Sequence, residues 1–148
     1  MSASSPRSLA RRVFALLRHR PHPRVSVEPI GEAYAGDRLL LRLHVDAPVD
    51  VTVRDARVRL RRALTIYGFS GENFGLGPRF ERKIIASETF SQIGHLAAGS
   101  RHEEISRLPI TDRLPSVWAR RIHVVYRVKV RVRFQGARTR RCSVPVRV

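Results

Sequence analysis

Cysteine is almost missing from this chain. Cys142 stands alone, so no internal disulfide can form and the fold does not depend on an oxidising compartment. Its place in an alternating run makes it a small buried hydrophobe rather than a nucleophile. Acidic residues are scarce too: 12 Asp and Glu face 29 Lys and Arg, none occurs before Glu28, and the net charge is +17. Such a field attracts polyanions, whether nucleic acid, anionic lipid or acidic and phosphorylated protein segments. Lysine is rarer still, only Lys83 and Lys129, so the cations are nearly all arginine, whose planar fork suits phosphate and carboxylate. No apolar run approaches the length of a membrane span.

The residue groupings that carry catalysis are also lacking. The glycine-rich stretch Gly68–Pro78 has no Lys-Ser/Thr ending and no helical pattern after it, so it reads as a connection rather than a phosphate-binding loop. Its Phe69 and Phe74 are either contact residues or tuck the loop onto the domain. His19, His22, His44, His95, His102 and His123 include no pair at zinc-site spacing. Glu103 and Glu104 are neighbours and, on a strand, point to opposite faces. No GxSxG nucleophile motif is present, and Ser116 between Pro115 and Val117 fits turn geometry. The sequence supports no catalytic site, no metal and no cofactor.

What is present is alternation. Val124, Tyr126, Val128, Val130, Val132 and Phe134 fall on one face, and Val125, Arg127, Lys129, Arg131 and Arg133 on the other. A period of two describes a strand with one buried and one solvated face. Similar runs cover Arg24–Ile30, Arg38–Val45, Val51–Tyr67, Arg79–Phe90, Arg101–Leu108, Arg120–Phe134 and Thr139–Val148. Gln92–Ser100 reads as a connection and Asp112–Trp118 as irregular. Along Val51–Tyr67, Arg57, Arg59 and Arg61 oppose an apolar row that Arg62 interrupts; a bulge near Arg62 and Ala63 would reposition that arginine. Pro145 places the last strand at an edge or beside a bulge. About seven strands separated by turns predict an all-β, antiparallel immunoglobulin-like sandwich. A hydrophobic fraction of 43% over 148 residues allows one such domain, assigned to residues 24–148.

Residues 1–23 differ from the rest. Leu9, Val13, Leu16 and Leu17 recur at helical spacing among Arg7, Arg11, Arg12 and Arg18, and Pro21 and Pro23 end the pattern. Three readings stay open: an organelle transit peptide, a helix lying on an anionic membrane, and a poorly ordered tail or short helix docked on the domain. Within the sandwich, Arg127, Lys129, Arg131, Arg133, Arg138 and Arg140 form the expected anion- or partner-binding cluster. The competing reading is a solvated face whose cations discourage edge pairing. Readers of single-stranded nucleic acid interleave aromatics among their cations, and this strand face has none.

Four stretches carry a resemblance. Glu32-Ala33-Tyr34-Ala35-Gly36-Asp37 precedes an alternating strand. Later come Leu108-Pro109-Ile110, Leu114-Pro115-Ser116-Val117 and Val124-Val125-Tyr126-Arg127-Val128-Lys129-Val130. In order and spacing these resemble the signature of arrestin-like domains, a family that includes the visual and β-arrestins, α-arrestins, the arrestin-like retromer subunit and bacterial sporulation-control proteins. The resemblance covers residues 24–148. It implies a seven-stranded sandwich acting as a non-catalytic adaptor that binds other proteins, often at a membrane. Two departures stand out. Members usually carry two sandwiches and this chain has room for one, with a second sandwich in another chain as one further reading, and the phenylalanine pair before the Pro strand is replaced by Glu103, Glu104 and Ile105. The resemblance assigns no functional residue. The expectation is a cytoplasmic adaptor, peripheral at a membrane, that binds an acidic or phosphorylated protein and an anionic membrane surface. The alternative is a basic, RNA-associated protein of a mitochondrial complex, held to RNA by charge.

Overall fold

Alternating Val, Leu and Arg rows need partners for their backbone groups and cover for one face, and two stacked antiparallel sheets provide both. The computed structural model describes residues 21–68 and 78–148; the expected N-terminal helix and the loop phenylalanines Phe69 and Phe74 lie outside them. Nine strands are present among the described residues: β1 Arg24–Ile30, β2 Arg38–Ala47, β3 Val51–Ile66, β4 Arg79–Phe90, β5 Gly94–Leu96, β6 Ser100–Pro109, β7 Val117–Trp118, β8 Ile122–Gln135 and β9 Arg140–Val146. Seven match the runs expected from alternation. The two extra strands are short: β5 lies in the stretch read as a connection, and β7 in the one read as irregular.

The small sheet has the order β1-β2-β6, and the large sheet runs β4-β3-β8-β7, with β5 also on β3 and β9 also on β8. Among the described residues β9 pairs with β8 alone, so Pro145 sits on an edge strand, where proline is tolerated. Leu39, Leu41, Leu43 and Val45 of β2 pack against Ala56, Val58 and Leu60 of β3 and Tyr126, Val128, Val130 and Val132 of β8. The apolar face of the longest alternating run therefore forms the floor of the core.

The residues of the two Leu-Pro steps are tied to the same core. The Tyr126 hydroxyl donates to the Leu114 carbonyl, and the Ser116 N–H donates to Val148 O at 2.7 Å. The Val148 N–H returns a bond to Ser116 Oγ at 2.9 Å. Ser116 thus holds Val148, just past β9, through both its backbone and its hydroxyl. At the first stretch of resemblance, Gly36 has φ +85°, a backbone shape open to glycine, and its N–H donates to Ile110 O at 3.0 Å.

One expectation is corrected. The bulge near Arg62 falls on β4, where the register against β3 shifts between Leu60 and Arg61 so that Ile85 has no partner. It does not move Arg62, which stays in the inward row and is 6% exposed. The arginine remains because its guanidinium reaches Asp112 on one side and Glu81 on the other, and a buried charge needs such partners. A second bulge, at Arg54 against β8, shifts the inward set of β3 from Val51 and Val53 to Ala56, Val58 and Leu60.

Candidate polyanion-binding face

The outer face of the large sheet follows from register. Residues with odd numbers from 57 to 61 on β3 and from 125 to 133 on β8 point away from the core. Strand pairing sets Arg57 opposite Arg131, Arg59 opposite Lys129 and Arg61 opposite Arg127. On the far side of β8, Arg131 also faces Arg141, and Lys129 faces Ser143. Directly opposed residues have Cβ atoms about 5 Å apart, and like charges in that position destabilise a sheet. Among the described residues, none of Arg57, Arg59, Arg61, Arg127, Lys129, Arg131 or Arg141 has a carboxylate within ion-pair distance.

At the edge of this lattice Asp55 pairs with Arg133, whose Nε donates to Asp55 Oδ2 at 2.6 Å. That bond, and the longer-range pull of Arg131 and Arg57, hold the Asp55 carboxyl below its ordinary range against the opposing effect of burial. Asp55 is the one acidic position on this face among the described residues. Arg57, Arg59, Lys129, Arg131, Arg141 and Ser143 line a shallow groove of about 450 Å³. Cys142 is half-buried beside it, and burial pushes its thiol up, away from the reactive thiolate.

The outer face of the small sheet is built differently. Arg42 lies 3.2 Å from both Glu28 and Glu103, His44 lies 3.4 Å and 3.6 Å from the same two glutamates, and Arg101 lies 2.5 Å from Asp46. The Arg101 hydrogen bond holds the Asp46 carboxyl low. Glu28, Asp46 and Glu103 interleave with the cations there and offset much of their charge, although Arg24, Arg38 and Arg107 stand on the same face without an ion pair among the described residues. The larger share of the sandwich's charge excess lies on the large sheet.

The residues expected from sequence divide accordingly. Arg127, Lys129 and Arg131 come together in the lattice, and Arg133 is committed to Asp55. Arg138 is exposed in the turn after β8. Arg140 lies opposite Val132, on the core-facing side of β9, so it does not join the cluster. Arg57, Arg59 and Arg61 also enter the lattice, where the sequence reading had not put them. Their alternation was visible, but their register against β8 was not. The expectation of no aromatics also changes: Phe80 of β4 and Trp118 of β7 stand on this same sheet face, contributed by neighbouring strands. Arg7, Leu9, Arg11, Arg12, Val13, Leu16 and Leu17 lie outside the described residues. Among the described residues, no three His, Cys, Asp or Glu side chains converge as metal ligands would.

No protein-family profile and no curated protein matches the chain. Among solved structures, the sporulation control protein Spo0M of Bacillus subtilis superposes with a TM-score of 0.62 at 13% identity. The match covers 86% of this chain and 49% of Spo0M, so the chain spans about half the length of that protein. At that identity the likeness speaks for the fold alone. The chain has an arrestin-like β-sandwich fold, as the Leu-Pro and Tyr-Arg-Val-Lys-Val stretches imply.

Proposed function

We propose that this protein is a non-catalytic interaction module that holds an acidic or phosphorylated segment of a partner protein against the outer face of its large sheet. The observation that carries the reading is the run of opposed like-charge pairs, Arg57–Arg131, Arg59–Lys129 and Arg61–Arg127, without a carboxylate among them. A solvated face would be expected to interleave signs, as the small sheet does. Arginines side by side at strand spacing suit the bidentate capture of phosphates or carboxylates. An extended anionic segment along the groove would relieve the repulsion between the two strands.

The test is fluorescence anisotropy with a labelled phosphoserine-rich peptide and an uncharged peptide of the same length. The phosphopeptide should bind, the neutral one should not, and Arg59→Gln with Lys129→Gln should weaken binding by at least about tenfold, the equivalent of one charge-assisted contact. Unchanged affinity in that double variant would reject the site. The exposed aromatics on the same face favour one competing partner, single-stranded RNA. An RNA oligonucleotide that displaces the peptide at physiological salt, with affinity falling steeply as salt rises, would replace the protein partner with RNA.

A further inference from the structure

The large sheet changes character at the end where β3 and β4 meet β7 and β8. On its outer face a single cross-strand row runs Phe80, Thr65, His123, Trp118. Phe80 is 71% exposed and Trp118 78%, although both are large apolar surfaces. The indole lies flat on the His123 imidazole, with ring centroids 3.7 Å apart and planes 7° from parallel. Tyr67 meets the same imidazole edge-on at 5.2 Å. These contacts hold the indole in place while its second face stays open to solvent.

The other face of the same end is apolar as well. Ile66 pairs with Ile122, and both have core-facing parity. They are nonetheless 39% and 43% exposed, because cover from the small sheet fades beyond Leu64 and Val124. Among the described residues the sheet therefore comes to a tip that is apolar on both sides of one layer of backbone. Exposed cations border it. Arg79 is the cross-strand partner of Ile66 and Arg82 that of Ala63, one row in from Phe80. Arg120 lies in the turn between Trp118 and Ile122.

We propose that this tip seats the protein on an anionic lipid bilayer. Trp118, Phe80, Ile66 and Ile122 enter the boundary between headgroups and acyl chains, while Arg79, Arg82 and Arg120 stay at the level of the lipid phosphates. Three features favour a bilayer over a nucleic acid. A bilayer accepts apolar surface on both sides of a projecting sheet, whereas a base can stack on only one. Isoleucines offer a base no stacking partner but gain from leaving water. Tryptophan and tyrosine, with a polar atom on an apolar ring, are suited to the membrane interface, and the bordering arginines complement anionic headgroups. The inference rests on the apolar tip and not on the cation lattice. With the tip in the bilayer, the lattice face remains free for a protein partner.

The chain contains one tryptophan, so its intrinsic fluorescence reports on Trp118 alone. The full chain is titrated with phosphatidylserine-containing vesicles, with pure phosphatidylcholine vesicles, and with anionic vesicles whose acyl chains are brominated. Trp118 emission should shift to the blue on anionic vesicles and be quenched by the bromines. Phe80→Ala with Ile122→Ser should weaken partitioning by about tenfold or more, given the apolar area removed, with unchanged circular dichroism and melting temperature. Arg59→Gln with Lys129→Gln should retain the bromine quenching, which separates this inference from the protein-partner reading. Vesicle binding without bromine quenching would show that another part of the chain is responsible and overturn the proposal. So would a blue shift that survives the Phe80/Ile122 variant, or no shift on anionic vesicles.

Discussion

Single residues here are decided by their partners more than by their type. Arg62 is the clearest case: an arginine in an apolar row argues for a break, yet it stays inward because Asp112 and Glu81 meet its guanidinium. Asp112 is nearly as buried as Arg62, and its second oxygen accepts the Leu114 N–H at 3.2 Å. The Leu114 carbonyl in turn accepts from Tyr126, whose phenol is pushed up chiefly by burial, with Asp112 adding to the effect. Removing Asp112 alone leaves the buried Arg62 guanidinium short of a partner, so Asp112→Ala should lower stability by about 3 kcal/mol, whereas the double variant Arg62→Met with Asp112→Leu, which leaves neither charge behind, should be close to neutral. Chemical denaturation of both variants checks the order. The sequence showed that Arg62 was anomalous. It could not show the answer, because Asp112 is fifty positions away along the chain and only the sandwich brings the two together.

At the scale of the strand, alternation located β1, β2, β3, β4, β6, β8 and β9 with small boundary differences. Length and period are local properties, and the apolar rows were long enough to show both. The two- and three-residue strands β7 and β5 have no period to detect; they exist because β8 and β3 offer free ladder positions next to them. Register was equally hidden. Nothing in Arg57-Val58-Arg59 or Val128-Lys129-Val130 states that Arg59 will face Lys129. That pairing carries a stability prediction opposite to the usual one for a mutation. Lys129→Gln removes a like-charge opposition and should raise stability by about 0.5 kcal/mol, while weakening anion binding. A higher melting temperature at low ionic strength, shrinking as salt is added, is the expected result. A lower melting temperature would mean that the lattice supports the fold, not a ligand.

Over the whole molecule the balance of charge matters more than any one pair. Asp55 and Asp46 are held below their ordinary range by Arg133 and Arg101. A carboxylate with a depressed folded-state pKa contributes stability above its unfolded pKa, about 3.9, and loses that contribution as pH falls through the folded value. Thermal stability should therefore decline below about pH 4, where protonation also leaves the +17 chain with fewer anions to offset its repulsion. Asp55→Asn should flatten part of that decline, and melting curves between about pH 2 and 7 measure it. The sequence was enough to read residues 24–148 as strands, to tell the apolar face of each long strand, to put Pro145 at an edge or a bulge, and to show that the molecule is strongly cationic. Each of these depends on neighbours one or two positions apart. Tertiary structure alone decided where the cations go. Pairing β3 with β8 concentrates them on one sheet, while Glu28, Asp46 and Glu103 offset much of the charge on the other. The same pairing brings Phe80 and Trp118 onto the cationic face, and only strand order could place those two side chains in one row.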